Sequence, residues 1–202
     1  MCIEKCPSLT HIELSAHNLE SLEGIHISSC KKLKSIRYLT QGEEESCGGF
    51  ISSLQFLLVY NCNEVTDILS PMVLESCTSL RTLRVSRCHN LVSFPIDFRS
   101  LPSSLRVLGI SECPRLRSLP KGGHPTITVI VEIRIIWMPQ FESLPDDLQH
   151  LTTLRLFRID NFGMEALPEW IGNLASLEWL GLYRCKKLKQ LPSKEALQCL
   201  TK

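Results

Sequence analysis

The side chains with the most latent chemistry in this sequence are ten cysteines and six histidines among 202 residues. Thiolates bind zinc, form disulfides or act as nucleophiles, and imidazoles ligate metals or move protons. Spacing removes most of these roles. Structural zinc sites are built on short C-x-x-C pairs, whereas Cys2 and Cys6 form a C-x3-C spacing with no second pair. The histidines are scattered and make no H-E-x-x-H, and there is no G-x-S-x-G elbow and no G-x-x-x-x-G-K-[ST] phosphate loop. The 21 carboxylates give close pairs in any chain of this length and read as solvated surface. The sequence therefore predicts no catalytic group, no cofactor-binding residue and no metal ligand. It predicts a non-enzyme.

The cysteines obey a different rule. Counted from a first aliphatic residue, aliphatics follow at +3 and +5, cysteine at +8, and aliphatics again at +11 and +14. One copy is Leu105, Leu108, Ile110, Cys113, Leu116, Leu119, followed by Pro120. Others start at Leu22, Leu54, Leu80 and Leu177 and place Cys30, Cys62, Cys88 and Cys185 at +8, and a partial first copy does the same with Cys6. Copies starting at Ile130 and Leu154 put Met138 and Phe162 there instead. A position that accepts Met and Phe selects for packing, so the cysteine ladder is expected to be buried as small hydrophobes with a weak donor. Successive starts lie 32, 26, 25, 25, 24 and 23 residues apart. Apart from the first, those are leucine-rich-repeat periods.

These spacings imply the elements that carry them. Aliphatics at +3 and +5 alternate, so they point inward from a short strand while +2, +4 and +6 point out. The small side chain at +8 is expected to turn the chain into the interior, and those at +11 and +14 to fill the core from the opposite side. One coil cannot bury these side chains alone, whereas stacked coils can, at about 1.5–3 kcal/mol for each fully covered aliphatic. The expected fold is α/β: a leucine-rich-repeat solenoid with a curved parallel sheet on the concave face and an irregular, 3-10 or short-helical convex side.

A single repeat domain is expected over 1–202, with a partial repeat at 1–21 and seven further repeats starting at 22, 54, 80, 105, 130, 154 and 177. The segment TQGEEESCGG at 40–49 lengthens the first interval and reads as a mobile, solvated insertion on one edge. Both ends run through a repeat and lack a polar cap, which predicts part of a longer protein. With a formal net charge of +1, overall charge selects neither nucleic acid nor an anionic membrane. The most apolar stretch, 127–138, is interrupted by Glu132 and Arg134 and is too short to span a bilayer. The N-terminus has no secretory-signal pattern, and none of six asparagines begins an Asn-x-Ser/Thr sequon.

The half-repeat LGISECPRLRSLP at 108–120, the stretch LPEWIGNLASLEWLGLYRCKKLKQLP at 167–192 and LPDDLQHLTTLRLFRI at 144–159 carry a family likeness. Through them the chain resembles the leucine-rich-repeat region of plant intracellular nucleotide-binding leucine-rich-repeat disease-resistance proteins, over nearly its whole length. The resemblance implies a protein-recognition and autoinhibitory module that binds a pathogen effector or a guarded host protein, and the receptor's own nucleotide-binding domain. It implies a cytoplasmic setting, extending to the nucleus or a membrane surface for a full-length receptor. ADP or ATP would belong to that other domain, so no cofactor is expected in this segment.

Within the expected sheet, outward positions collect the side chains that most often anchor protein interfaces. They are Phe56, Leu58 and Tyr60; Arg81, Arg84 and Arg87; Arg134 and Trp137; Arg155 and Arg158; and Trp179, Tyr183 and Arg184. Arginines recurring at +1, +4 and +7 predict a protein-binding surface with a basic central tract. Two other classes fit a binding solenoid. An extracellular receptor ectodomain is opposed by the unpaired ladder cysteines, the missing sequons and the missing L-x-G-x-I-P spacing. A ubiquitin-ligase substrate adaptor would need a helical motif outside this segment.

Overall fold

The computed structural model describes residues 1–15, 21–39, 53–94, 101–119 and 129–200. The insertion expected at 40–49 lies outside them. Eight short strands form one parallel sheet. They are β1 (Cys2–Glu4), β3 (Gly24–Ser28), β5 (Phe56–Tyr60), β7 (Thr82–Ser86), β8 (Val107–Ser111), β9 (Glu132–Met138), β10 (Leu156–Phe162) and β11 (Trp179–Tyr183). Each neighbour in this order is the next coil of the chain, which is the topology of a solenoid.

The register matches the repeat read from spacing. At +5, Ile3, Ile27, Val59, Val85, Ile110, Ile135, Ile159 and Leu182 pair in one continuous row. At +3, Ile25, Leu57, Leu83, Leu108, Ile133, Phe157 and Leu180 form the row beside it. From Ile25 to Ile159 both rows are buried, and with the side chains at +8, +11 and +14 they form one core running along the solenoid. Strand register is fixed because slipping a strand by one position would turn every aliphatic of a coil to the other face.

The turn into the core is made one position earlier than expected. Lys5, Ser29, Asn61, Arg87, Glu112, Trp137, Asn161 and Arg184, which occupy +7 of successive coils, all have positive φ, between 49° and 58°. Their left-handed backbone ends the strand and sends the following side chain inward. In the first coils the N–H at +7 donates to the carbonyl at +6 of the next coil, as Ser29 does to Tyr60 at 2.9 Å and Arg87 to Ser111 at 3.0 Å. The thiol at +8 then donates back to the carbonyl at +6 of its own coil, at 3.3 Å for Cys62 and Cys113 and 3.5 Å for Cys30. Cysteine fits because it is small, tolerates burial and supplies a weak donor to a carbonyl beneath the turn. Cys30, Cys62, Cys88 and Cys113 are buried, and Cys6 and Cys185 half-buried. Burial pushes the Cys113 thiol up to about 11 and that of Cys77, beneath the helix Pro71–Glu75, up to about 12.

The opposite side of the coils is not uniform. In the first three, Ile12, Ile36 and Ile68 at +14 lie on strands β2 (His11–Ser15), β4 (Ser35–Leu39) and β6 (Asp67–Ile68), which pair as a second parallel sheet. The expected irregular or 3-10 convex side is found further along, at Asp146–His150 and Glu169–Asn173. Proline precedes each of those turns, with Pro145 and Pro168 in extended backbone. Proline lacks the ladder donor and fixes φ near the start of a helical turn, so the LP pair ends pairing and begins a 3-10 turn. The phenyl rings of Phe141 and Phe162 stack at 6.0 Å in the coils where cysteine is replaced. The shorter second half of that coil brings Gly163 against the backbone carbonyls of Pro139 and Phe141, leaving no room for a Cβ.

Candidate functional site

Every outward residue singled out above lies on or beside the large sheet. Phe56, Trp137, Trp179 and Tyr183 are between 39% and 44% exposed, which is unusual for side chains of this size and leaves faces open for contact. Arg81, Arg87, Arg155 and Arg184 are exposed, while Leu58, Tyr60, Arg84, Arg134 and Arg158 are half-buried. Two of the aromatics lie flat because glycine is underneath. The Phe56 ring occupies the place a Cβ on Gly24 would take, and the Trp179 indole does the same over Gly181. Arg87, Trp137 and Arg184 project from the left-handed turns at +7, at the rim of the strand row.

Most arginines of the expected basic tract are paired with acids. Arg84 NH2 lies 3.2 Å and Arg134 Nε 2.5 Å from the same carboxylate oxygen of Glu132. Arg84 reaches Glu132 across Gly109, whose missing side chain leaves a path; a Cβ there would sit 3.0 Å from Arg84 Cγ. Arg87 donates from Nε to both oxygens of Glu112, at 3.0 and 3.1 Å, and Arg155 pairs with Glu178. Each of these carboxylates stands one or two coils from its arginine in space, or beside it on the strand. The expectation counted the arginines and left out the acids between them: Glu112, Glu132, Asp160 and Glu178 offset part of the positive charge, with Glu132 and Asp160 each shared by two arginines.

The densest part of the surface surrounds Asp160, which is fully buried at the +6 position of β10. Arg184 Nε donates to Oδ1 at 2.8 Å and its NH2 to Oδ2 at 2.5 Å, and Arg158 NH2 donates to Oδ2 at 3.3 Å. Hydrogen bonds from Arg184 first, and then from Arg158, hold the Asp160 carboxyl below the usual carboxylate range against the opposing effect of burial. Each arginine then meets an aromatic face. Arg158 lies 4.9 Å from the centre of the Tyr183 ring, and Arg184 5.0 Å from that of Trp137. Trp179 continues the patch at 6.0 Å from Tyr183. A buried carboxylate thus fixes two guanidinium planes, and those planes fix two aromatic rings. Side chains held this way lose little conformational entropy on meeting a partner, which is what makes an anchor effective.

Sequence reasoning named the arginines and aromatics but missed Asp160, Glu112, Glu132 and Glu178. The signal was present: Asp160 is +6 of one repeat and Arg184 +7 of the next, so writing the copies beneath one another places them as neighbours. The same comparison would have brought Cys2 and His26 together, which are paired across β1 and β3.

Fold and register define the chain as a leucine-rich-repeat solenoid, a class of protein-interaction modules. The family model described as R13L1/DRL21 LRRs matches residues 140–202, the part that holds Asp160, Trp179, Tyr183 and Arg184. Over those residues this match bears out the resemblance to the leucine-rich-repeat region of plant nucleotide-binding leucine-rich-repeat resistance proteins. A search of curated proteins finds no match. Among the described residues no helix is long and apolar enough to cross a membrane.

Proposed function

We propose that this chain is the recognition and autoinhibitory segment of a plant intracellular disease-resistance receptor, a non-catalytic module of the defence response. Its ligand is a pathogen effector or a guarded host protein, met on the sheet face around Asp160. In a full-length receptor the same solenoid also holds the nucleotide-binding domain inactive. The observation that carries this reading is the Asp160 cluster, where Trp137, Trp179 and Tyr183 stand 40–44% exposed beside two arginines locked by one buried carboxylate. A reduced cytoplasm suits the ladder thiols, which donate to carbonyls in the core.

The test is a full-length receptor carrying Trp137→Ala, Trp179→Ala and Tyr183→Ala, scored in leaf tissue for cell death with and without its matching effector. Loss of the triggered response, or death without the effector, is expected. Each aromatic anchor is worth about 2 kcal/mol, so the triple change weakens binding well over roughly 30-fold. Wild-type behaviour in both assays would remove this face from recognition. Thiol titration of protein purified without reductant separates the extracellular alternative, which requires oxidised pairs.

A further inference from the structure

At the other end of the sheet, three side chains of different chemistry converge. Cys2 and Glu4 stand two positions apart on β1, so both point to its outward face, and His26 on β3 is the direct cross-strand partner of Cys2. His26 Nδ1 lies 3.7 Å from Cys2 Sγ and 3.5 Å from Glu4 Oε1, and all three atoms fall within 4.8 Å of one another. The imidazole is steadied from behind by the Tyr60 ring, edge to face at 5.6 Å and 81°. Zinc takes sulfur at about 2.3 Å and nitrogen or oxygen at about 2.0–2.2 Å, and at tetrahedral angles those bonds put sulfur about 3.6 Å from nitrogen and nitrogen about 3.4 Å from oxygen. The observed 3.7 and 3.5 Å match two edges of such a tetrahedron, and the third pair, Cys2 Sγ and Glu4 Oε1, lies within 4.8 Å.

We propose that Cys2, Glu4 and His26 form a zinc site on the sheet face, with its fourth position open to water or to a side chain of a bound protein. The donor set discriminates among metals: a thiolate with an imidazole suits zinc, whereas magnesium and calcium take oxygen ligands. Binding displaces the thiol proton to solvent and leaves the imidazole neutral, with Nδ1 as the ligand atom. The site stitches the first coil to the second at exposed positions, so it adds stability there without altering the core. A metal here departs from the expectation, drawn from cysteine spacing along the chain, of a segment without metal ligands. Adjacent coils supply these ligands, so no short C-x-x-C pair is needed.

Cobalt(II) reads the site directly, because a thiolate bound to cobalt gives a near-ultraviolet charge-transfer band and four-coordination gives strong visible bands. The 202-residue chain, with any tag placed at its C-terminus, is titrated with cobalt(II), and the cobalt is then displaced with zinc. One equivalent of thiolate-bound cobalt, displaced by one of zinc, is expected for the wild type. Both signals are lost in Cys2→Ser and in His26→Gln and kept in Cys199→Ser, whose thiol lies on the distant helix Lys194–Cys199. Glu4→Gln keeps the charge-transfer band with weaker affinity. Absence of the band in the wild type, or its survival in either Cys2→Ser or His26→Gln, overturns the proposal.

Discussion

The first three coils and the last three are built on one repeat, yet they close differently and carry different surfaces. In the first three, a β-branched isoleucine at +14 is followed by a residue with an N–H, and Ile12, Ile36 and Ile68 pair into a second sheet. In the later coils Leu144 or Leu167 stands at +14, proline follows, and the chain enters a 3-10 turn. The residue type just after +14 therefore decides whether the far side of the coil is a ladder or a helix. The sheet face diverges as well. The early coils bring together a thiol, an imidazole and a carboxylate at the surface, whereas the later ones organise arginines and aromatics around a buried carboxylate. A solenoid keeps its inward rows constant because every coil shares one core; the outward rows are free to differ.

The sharpest way to break this contrast is to disrupt the second sheet in an early coil. Ile36 sits in the central strand of the second sheet, fully inside the core and paired on both sides. Ile36→Ala should cost about 2–5 kcal/mol in urea unfolding, from lost burial and the cavity left behind. Ile36→Pro should exceed it by about 1–3 kcal/mol, because a ladder group is left unsatisfied. Pro168→Ala, which removes the proline that follows +14 in a late coil, should change stability by less than about 1 kcal/mol. Equal effects of the alanine and proline changes at Ile36 would show that the second sheet contributes no pairing energy.

A middle-sized effect distinguishes the two kinds of ion pair on the sheet face. Asp160→Asn leaves two arginines facing a buried neutral amide, at a cost of about 1–3 kcal/mol once the partial exposure of the guanidiniums is allowed for. The folded-state pKa of Asp160 is lowered, so its contribution is present above the unfolded value, about 3.9, and disappears as pH falls through the folded value. Melting temperatures of wild type and Asp160→Asn should therefore converge in acid. Glu178→Gln, which breaks an exposed pair with Arg155, should change stability by about 0–1 kcal/mol.

The smallest effect at neutral pH is that of the buried thiols. Their folded pKa values are raised by burial, to about 11 for Cys113 and about 12 for Cys77. Their contribution is complete below the unfolded thiol value, about 8.5, and is lost as pH rises from there toward the folded values. Unfolding free energy should decline between about pH 8.5 and 10 for this reason. Among the described cysteines of the native protein, a thiol reagent should react first with the exposed Cys2 and Cys199, and with the buried Cys30, Cys62, Cys88 and Cys113 only on unfolding. Rapid labelling of Cys88 or Cys113 in folded protein would contradict the packing described here.

Much of the architecture was legible because its cause is local. The row Ile27, Val59, Val85, Ile110, Ile135 and Ile159 could be written from spacing alone, and the cysteine ladder was separable from metal chemistry because Met138 and Phe162 share its position. The left-handed turn at +7 was not legible, because the side chains there range from serine to tryptophan and none is glycine. Its conformation is imposed by the cross-coil hydrogen bond and by the inward pull of +8, so residue type carries little of the signal. The second sheet was missed for a related reason: the absence of proline after Ile12, Ile36 and Ile68 is informative only beside the coils that have it.

The sequence by itself determined the inward half of this protein, its repeat, strand register and core rows. Burial acts on each coil through the spacing of its own apolar side chains, so that information lies within about 25 residues. Aligned repeats bring the outward residues near one another, and the tertiary structure decided which of them meet. Arg184 meets Asp160 and Trp137, Arg84 reaches Glu132 over Gly109, and His26 faces Cys2 and Glu4. Those partners lie one or two coils apart, and which of several polar neighbours a long side chain reaches depends on the stacking of finished coils.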